Sequence, residues 1–326
     1  MKVLLIDADS TIPNLALMRL STWYKNIGAS VELLRLNIPY YPSKKKKMCM
    51  VNTTGYDLSF CSCVFEGTRE YVCGDGIQFG GTGVSLDIQL DREIENCAPD
   101  YSIYPDCDYS IGFISRGCIR KCKFCKVPIK EGGLRQVSTP QEIIKHKSVK
   151  FLDNNFLALP NHKDILNELI TSQVKCEFNQ GLDMRLLDIE NSLLLYELNY
   201  RGEYTFAFDD ISQYRIIETK LPLLSWRKPW QIRMFTYINP EMDLENFVLR
   251  INYMREQKIL PYVMRDISCW GSDISDFATD LASWCNQPGL FKNMEFHSFL
   301  GKRHKNKDRI IDSARKWNFS VVSGIF

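Results

Sequence analysis

The sequence predicts an α/β protein in two parts, a small doubly wound lobe followed by parallel β/α repeats that form a barrel or part-barrel. Three observations predict it. The first hundred residues carry a strand–helix–cap–strand pattern. From about Tyr109 strand and helix patterns alternate regularly. The strands of this second part end in polar residues, where such a fold carries its chemistry.

In the lobe, Val3-Leu4-Leu5-Ile6-Asp7 is a buried-strand run ending in an acidic turn. Asn14 to Asn26 has helical apolar spacing through Leu15, Leu17, Met18 and Trp23, and Gly28 falls where a helix C-cap belongs. Ser30 to Leu34 is the next strand, giving a βαβ unit. The apolar run Leu58 to Phe65 and the Gly80-Gly81-Thr82-Gly83 turn extend it. Between Leu34 and Leu58 lies a Pro-flanked polar stretch with the lysine run Lys44–Lys47, which reads as a solvated loop.

Strands are expected at Tyr109–Ser115, Val149–Phe156, Val174–Gln180, Glu203–Asp209, Gln231–Ile238 and Leu260–Arg265. Helices are expected near Pro140–His146, His162–Ser172, Leu187–Asn199, Ile211–Leu224, Leu244–Gln257 and Ile274–Trp284. The expected architecture is a Rossmann-like lobe over 1–104, a partial (β/α)6 TIM-type barrel over 105–290, and a basic C-terminal extension over 291–326.

Composition fits a soluble protein. Of the 326 residues, 45% are hydrophobic and 25% charged, and the net charge of +2 gives no global basic field. Asp7 and Asp9 interrupt the first apolar run, which argues against a signal peptide, and no apolar stretch reaches membrane-spanning length. Twelve cysteines in such a chain point to reduced thiols and metal chemistry in a cytoplasmic protein.

Directly after the first barrel strand comes Ser115-Arg116-Gly117-Cys118-Ile119-Arg120-Lys121-Cys122-Lys123-Phe124-Cys125-Lys126-Val127-Pro128. Three thiolates within eight residues, spaced Cys118-x3-Cys122-x2-Cys125, can ligate three corners of a cubane cluster and leave one iron open. Arg116, Arg120, Lys121, Lys123 and Lys126 offset the negative charge of such a cluster. A structural zinc site is the rival, but it needs a fourth ligand and the next histidine, His146, lies on a separate expected helix.

This loop, with Phe124 before the last cysteine, resembles the signature of the radical S-adenosylmethionine (SAM) superfamily. The resemblance covers about Tyr109 to Trp284, and the lobe before it is similar to that of the cobalamin-domain and methylthiotransferase branches. It implies a [4Fe-4S] cluster on Cys118, Cys122 and Cys125, with SAM's amino and carboxylate groups on the fourth iron and Phe124 near the adenine. It also implies an electron donor of the flavodoxin or ferredoxin type. The second strand ends Leu152-Asp153-Asn154-Asn155, where the family carries a Gly-Gly-Glu-like motif for the SAM amino group. That motif is replaced here, so Asp153, Asn154 or Asn155 would take the role.

The third strand ends Asn179-Gln180-Gly181-Leu182-Asp183-Met184-Arg185. Gln180 and Asp183 offer acceptors, and Arg185 offers a guanidinium for the SAM carboxylate. Asp209 and Asp210 suit ribose hydroxyls or a substrate amine, and Asp210 is equally a helix N-cap candidate.

The other cysteines form no C-x2-C pair and read as buried or inert thiols. The lobe lacks Asp-x-His-x-x-Gly, and the earliest of only four histidines is His146, which argues against cobalamin. Two alternatives remain, a methylthiotransferase-like RNA modifier with a second cluster and a non-catalytic iron–sulfur or zinc module. Two basic clusters, Lys44–Lys47 and Lys302–Arg309, with Trp270, Trp284, Phe291, Phe296 and Phe299 as stacking surfaces, point to a nucleotide or nucleic-acid-linked substrate.

Overall fold

The computed structural model describes residues 1–39 and 46–318. Lys44 and Lys45 of the first basic cluster lie outside the described residues. The chain divides into two compact units. The first comprises Met1–Gly112, Arg120–Gly133 and Glu142–Val149, and the second Phe113–Ile119, Leu134–Gln141 and Lys150–Phe326.

The first unit is an α/β layer around a four-stranded sheet. Its strands are β1 (Lys2–Asp7), β2 (Ser30–Arg35), β4 (Leu58–Ser62) and β6 (Ile77–Gly80), in the order β2-β1-β4-β6 and all parallel. The order reverses at β1, as in doubly wound folds. β1 is central, so Val3 to Asp7 are buried without alternation. Helix α1 (Leu15–Asn26) begins at Asn14, whose Oδ1 accepts from Leu17 N at 3.2 Å. The amide of Asn14 donates to Ser10 Oγ and Ser62 Oγ, both at 2.9 Å, so this cap ties the ends of β1 and β4 together. A two-stranded pair, β3 (Cys49–Met50) with β5 (Val72–Cys73), the short helix α2 (Arg92–Glu95) and strand β7 (Ser110–Gly112) complete the lobe.

The second unit opens with the antiparallel pair β8 (Ser115–Arg116) and β9 (Arg135–Gln136). Between them the chain carries the cysteine loop and helix α3 (Val127–Lys130), of which Arg120–Gly133 belong to the first unit. After α4 (Pro140–Ile143) comes β10 (Ser148–Phe151), and from there strand and helix alternate. The succession is α5 (His162–Ser172), β11 (Lys175–Phe178), α6 (Ile189–Glu197), β12 (Tyr204–Ala207), α7 (Tyr214–Lys220), β13 (Ile232–Ile238), α8 (Leu244–Glu256), β14 (Leu260–Arg265) and α9 (Ser275–Cys285). Strands β12, β13 and β14 form a parallel sheet. The bridges Cys176↔Tyr200 and Leu182↔Phe206 join the β11 segment to β12 in the same sense. Apart from the antiparallel β8–β9 pair the described strands form parallel sheets, and no closed barrel is found among them. The expected helix Ile211–Leu224 is split, its ends tightened into 3₁₀ turns around α7, and Pro222 in the second of them cannot donate a helical hydrogen bond.

The chain ends in α10 (Pro288–Asn293), α11 (Phe296–Arg303) and α12 (Lys307–Asn318). Here the structure corrects two expectations. Trp284, Phe291, Phe296 and Phe299 are core residues, buried against one another and Trp317, rather than surfaces for stacking bases. Trp270 is half-buried under Arg265, whose guanidinium lies 4.6 Å from the ring centre. The basic tail is also partly committed. Arg303 Nε, His304 Nε2 and Arg309 NH2 converge on Asp280 Oδ1 of α9 at 3.3, 2.7 and 2.9 Å. Asp280 is fully buried, so these donors answer a carboxylate that would otherwise be stranded in apolar surroundings. Lys302, Lys305 and Lys307 remain exposed.

Removing the carboxylate by Asp280→Ala leaves two guanidinium groups and an imidazole without their shared acceptor. The expected loss is about 3 kcal/mol of unfolding free energy in urea, at the lower end for broken buried pairs because the cations can partly rehydrate. A loss below ~1 kcal/mol would mean that α11 and α12 are held by apolar packing alone.

Candidate functional site

The cysteine loop begins where β8 ends. Gly117 has φ +80°, a left-handed turn that L side chains rarely adopt, and it swings the chain out of the strand toward Cys118. Cys125 N donates to Cys122 O at 3.0 Å, closing a tight turn over Lys123 and Phe124. Cys118, Cys122, Cys125 and Phe124 are each partly exposed. Cys118 belongs to the second unit, and Cys122 and Cys125 to the first. Among the described residues no three His, Cys, Asp or Glu side chains stand in metal-cage geometry. The fit to a cluster therefore rests on the donor set and on what surrounds it.

Those surroundings are specific on the Cys118 side. Asp153 is buried at the tip of β10, and its carboxylate accepts from Ile114 N at 3.1 Å, Ser115 N at 2.6 Å and Ser115 Oγ at 2.6 Å. Asn154 Oδ1 accepts from Gly117 N at 3.2 Å. Asn155 Nδ2 donates to Cys118 Sγ at 3.4 Å. Three consecutive side chains thus hold the chain from Ile114 to Cys118. Burial pushes the Asp153 carboxyl up to about 6, against the donors it collects.

Asn155 has a second feature. It is 3% exposed, yet its Oδ1 has no hydrogen-bond partner. Buried acceptors are nearly always satisfied, so this one marks a place for a donor that the chain does not supply. The same side chain's Nδ2 lies 3.4 Å from Asp183 Oδ2.

The β11 end continues the row. Gly181 has φ +80°, and a Cβ there would stand 3.2 Å from Thr205 O, so only glycine fits this close crossing of the β11 and β12 ends. Asp183 grips Arg185 in a two-point pair, Nε to Oδ1 at 2.6 Å and NH2 to Oδ2 at 3.0 Å. Gln180 is exposed beside them. At the β12 end, Asp209 accepts from Tyr237 N at 2.9 Å. Burial raises its carboxyl to about 6, opposed by Arg250, the Tyr237 N–H and Arg185. Asp210 caps the turn after β12 by accepting from Ser212 N at 2.8 Å.

No family model, curated protein or solved structure matches the chain. The reading of the site rests on its own geometry.

The sequence reading missed Arg250. It is buried on α8, donates to Phe208 O at 2.6 Å and to Thr236 Oγ1, and so fixes the backbone next to Asp209. A signal existed, because Arg250 interrupts the apolar face of Phe247, Val248, Ile251 and Met254. Ser115 was also missed, since its role depends on a partner 38 residues later. The thiols Cys61, Cys63, Cys176, Cys269 and Cys285 are buried. Burial raises Cys176 to about 12 and Cys269 to about 11, so both stay protonated.

Asp209 yields a pH test. Its folded value lies above the ordinary carboxylate value, so its contribution to stability is full below about pH 4 and is lost as pH rises through about 6. The difference in unfolding free energy, Asp209→Asn minus wild type, should therefore grow in favour of the variant over that window. A flat difference in urea titrations would mean that Asp209 titrates like an exposed carboxylate.

Proposed function

We propose that this chain is a radical SAM enzyme whose second unit is a partial β/α barrel. The observation that carries the reading is the meeting of the cysteine motif with the β10 tip. Cys118 opens Cys118-x3-Cys122-x2-Cys125, and Asn155, which donates to its sulfur, keeps an unsatisfied buried acceptor beside it.

Cys118, Cys122 and Cys125 would hold a [4Fe-4S] cluster. When bound, the cluster would supply one electron for cleaving the C5′–S bond of SAM into methionine and a 5′-deoxyadenosyl radical able to take hydrogen from substrate. The chain's own residues bind and orient. Asn155 Nδ2 donates to the Cys118 sulfur and so orients it. Asn155 Oδ1 offers its acceptor to the SAM amino group. Asp153 serves by position, because both of its oxygens are committed to holding Ile114 and Ser115. Arg185, aligned by its two-point pair with Asp183, presents a guanidinium to the SAM carboxylate. Asp209 stands further along the row as an acceptor for a ribose hydroxyl or a substrate amine.

Lys121 and Lys123 are exposed and, among the described residues, make no ion pair. With the exposed Ile129 they suit the docking of an acidic electron carrier of the flavodoxin or ferredoxin type.

Anaerobically prepared protein should contain about four irons per chain and form 5′-deoxyadenosine from SAM under reductant. Joint replacement of Cys118, Cys122 and Cys125 by Ala should abolish both. Iron retained in that triple variant would overturn the assignment.

Asn155→Ala should weaken SAM binding by about 1.5 kcal/mol or more, roughly tenfold, with the iron content kept. Unchanged SAM affinity would show that the orphan acceptor serves another group.

A further inference from the structure

The row of strand ends does not stop at Asp209. The next strand, β13, carries Tyr237 beside its last residue, and β14 is followed directly by Asp266. Tyr237 Oη donates to Asp266 Oδ2 at 2.5 Å. The other oxygen of Asp266 accepts from Ser268 N at 2.8 Å and from Ser268 Oγ at 2.6 Å, so the carboxylate is held independently of the phenol. The sheet does not need the Tyr237–Asp266 bond. β13 and β14 already pair from Arg233↔Leu260 to Ile238↔Arg265, and Asp266 N donates to Ile238 O at 2.9 Å.

The phenol lies on the side of the sheet that carries the row. Arg250 reaches Thr236 Oγ1 from α8, and side chains alternate along a strand, so Tyr237 leaves β13 on the face turned away from α8, together with Phe235. A Cβ at Gly181 would stand 3.4 Å from Phe235 Cε2, so this is the face that the β11 end crosses. Asp183 and Arg185 follow that glycine. Tyr237 N donates to Asp209 Oδ1 at 2.9 Å, which seats the ring next to Asp209. Burial and the Asp266 carboxylate push the phenol above its ordinary value, so it keeps its hydrogen at neutral pH. The nearby Cys269 is the other group with an exchangeable hydrogen. It is only 2% exposed and its thiol donates to Ile238 O at 3.4 Å, whereas Tyr237 is partly open to solvent.

We propose that Tyr237 is a catalytic residue that gives its hydroxyl hydrogen to carbon radicals formed at these strand ends. The inference rests on the radical SAM reading and deepens it. A phenol O–H bond is weaker than a sugar C–H bond, because the ring delocalises the electron left on oxygen, so the transfer runs downhill. The O–H bond breaks homolytically, a C–H bond forms on the radical carbon, and Tyr237 is left as a neutral phenoxyl radical. One electron from the flavodoxin- or ferredoxin-type donor, and one solvent proton passed on by Asp266, restore the phenol.

Deuterium labelling tests the step. The cluster-loaded full chain is given SAM and dithionite in deuterium oxide, without substrate. The 5′-deoxyadenosyl radical should then take the exchanged hydrogen of Tyr237, and mass spectrometry should find 5′-deoxyadenosine carrying one deuterium. Tyr237→Phe should lose that label, while Tyr262→Phe on β14 and Cys269→Ser should keep it. Product without deuterium from the wild type, or label that persists in Tyr237→Phe, overturns the proposal and leaves the radical SAM reading standing. No 5′-deoxyadenosine at all removes both. A second measurement needs no cluster. The tyrosinate absorbance of wild type minus Tyr237→Phe should stay flat through about pH 10, where an ordinary phenol is half ionised, and Asp266→Asn should move its rise to lower pH. Half-ionisation of Tyr237 at the ordinary value would mean that Asp266 does not hold the hydroxyl, and it overturns the proposal as well.

Discussion

The buried carboxylate of Asp153 is the constraint on which the Cys118 side of the site depends. A carboxylate at the tip of a four-residue strand would be expensive to bury alone. It is kept because Ile114 N, Ser115 N and Ser115 Oγ all point at it. This grip fixes the course of β8, and Asn154 and Asn155 extend it to Gly117 N and Cys118 Sγ. The position of the first cysteine is thus set by the strand that follows it in the fold, not only by its own loop. An irregular loop needs such outside support, because its backbone has few hydrogen bonds of its own.

Beyond Asp153 the charges along the strand ends alternate in sign. Asp183 holds Arg185, Arg185 favours the charged form of Asp209, and Arg250 does the same from below while bracing Phe208 and Thr236. Each carboxylate therefore has a cation near it, and burial works against that pairing. Burial sets Asp209 at about 6, above the ordinary carboxylate range, against the pull of Arg250 and Arg185. The same logic recurs far from the site, where Asp280 gathers Arg303, His304 and Arg309.

The succession of strands and helices was legible because burial imposes it on the sequence. Strand β13 alternates buried and half-buried residues without a break, and α5 runs over the span His162–Ser172 that its apolar spacing predicts. The cysteine motif was legible because three thiols lie within eight residues. Partners distant in sequence were not legible. Asp153 gives the same local signal whether it caps a helix, binds a ligand or grips a backbone, and only the fold brings Ile114 and Ser115 to it. The aromatics after α9 were misread for a related reason. Composition cannot tell a stacking surface from a core, and Trp284 is buried by Phe291, Phe296 and Trp317.

The central claim is that Cys118, Cys122 and Cys125 carry a cluster with one iron open to SAM. Electron paramagnetic resonance of the reduced protein, recorded with and without SAM, tests it most directly. The account predicts the signal of a reduced [4Fe-4S] cluster whose shape changes when SAM is added, because SAM becomes a ligand of the open iron. A reduced cluster whose spectrum ignores SAM, or a protein that gives no cluster signal at all, would contradict it.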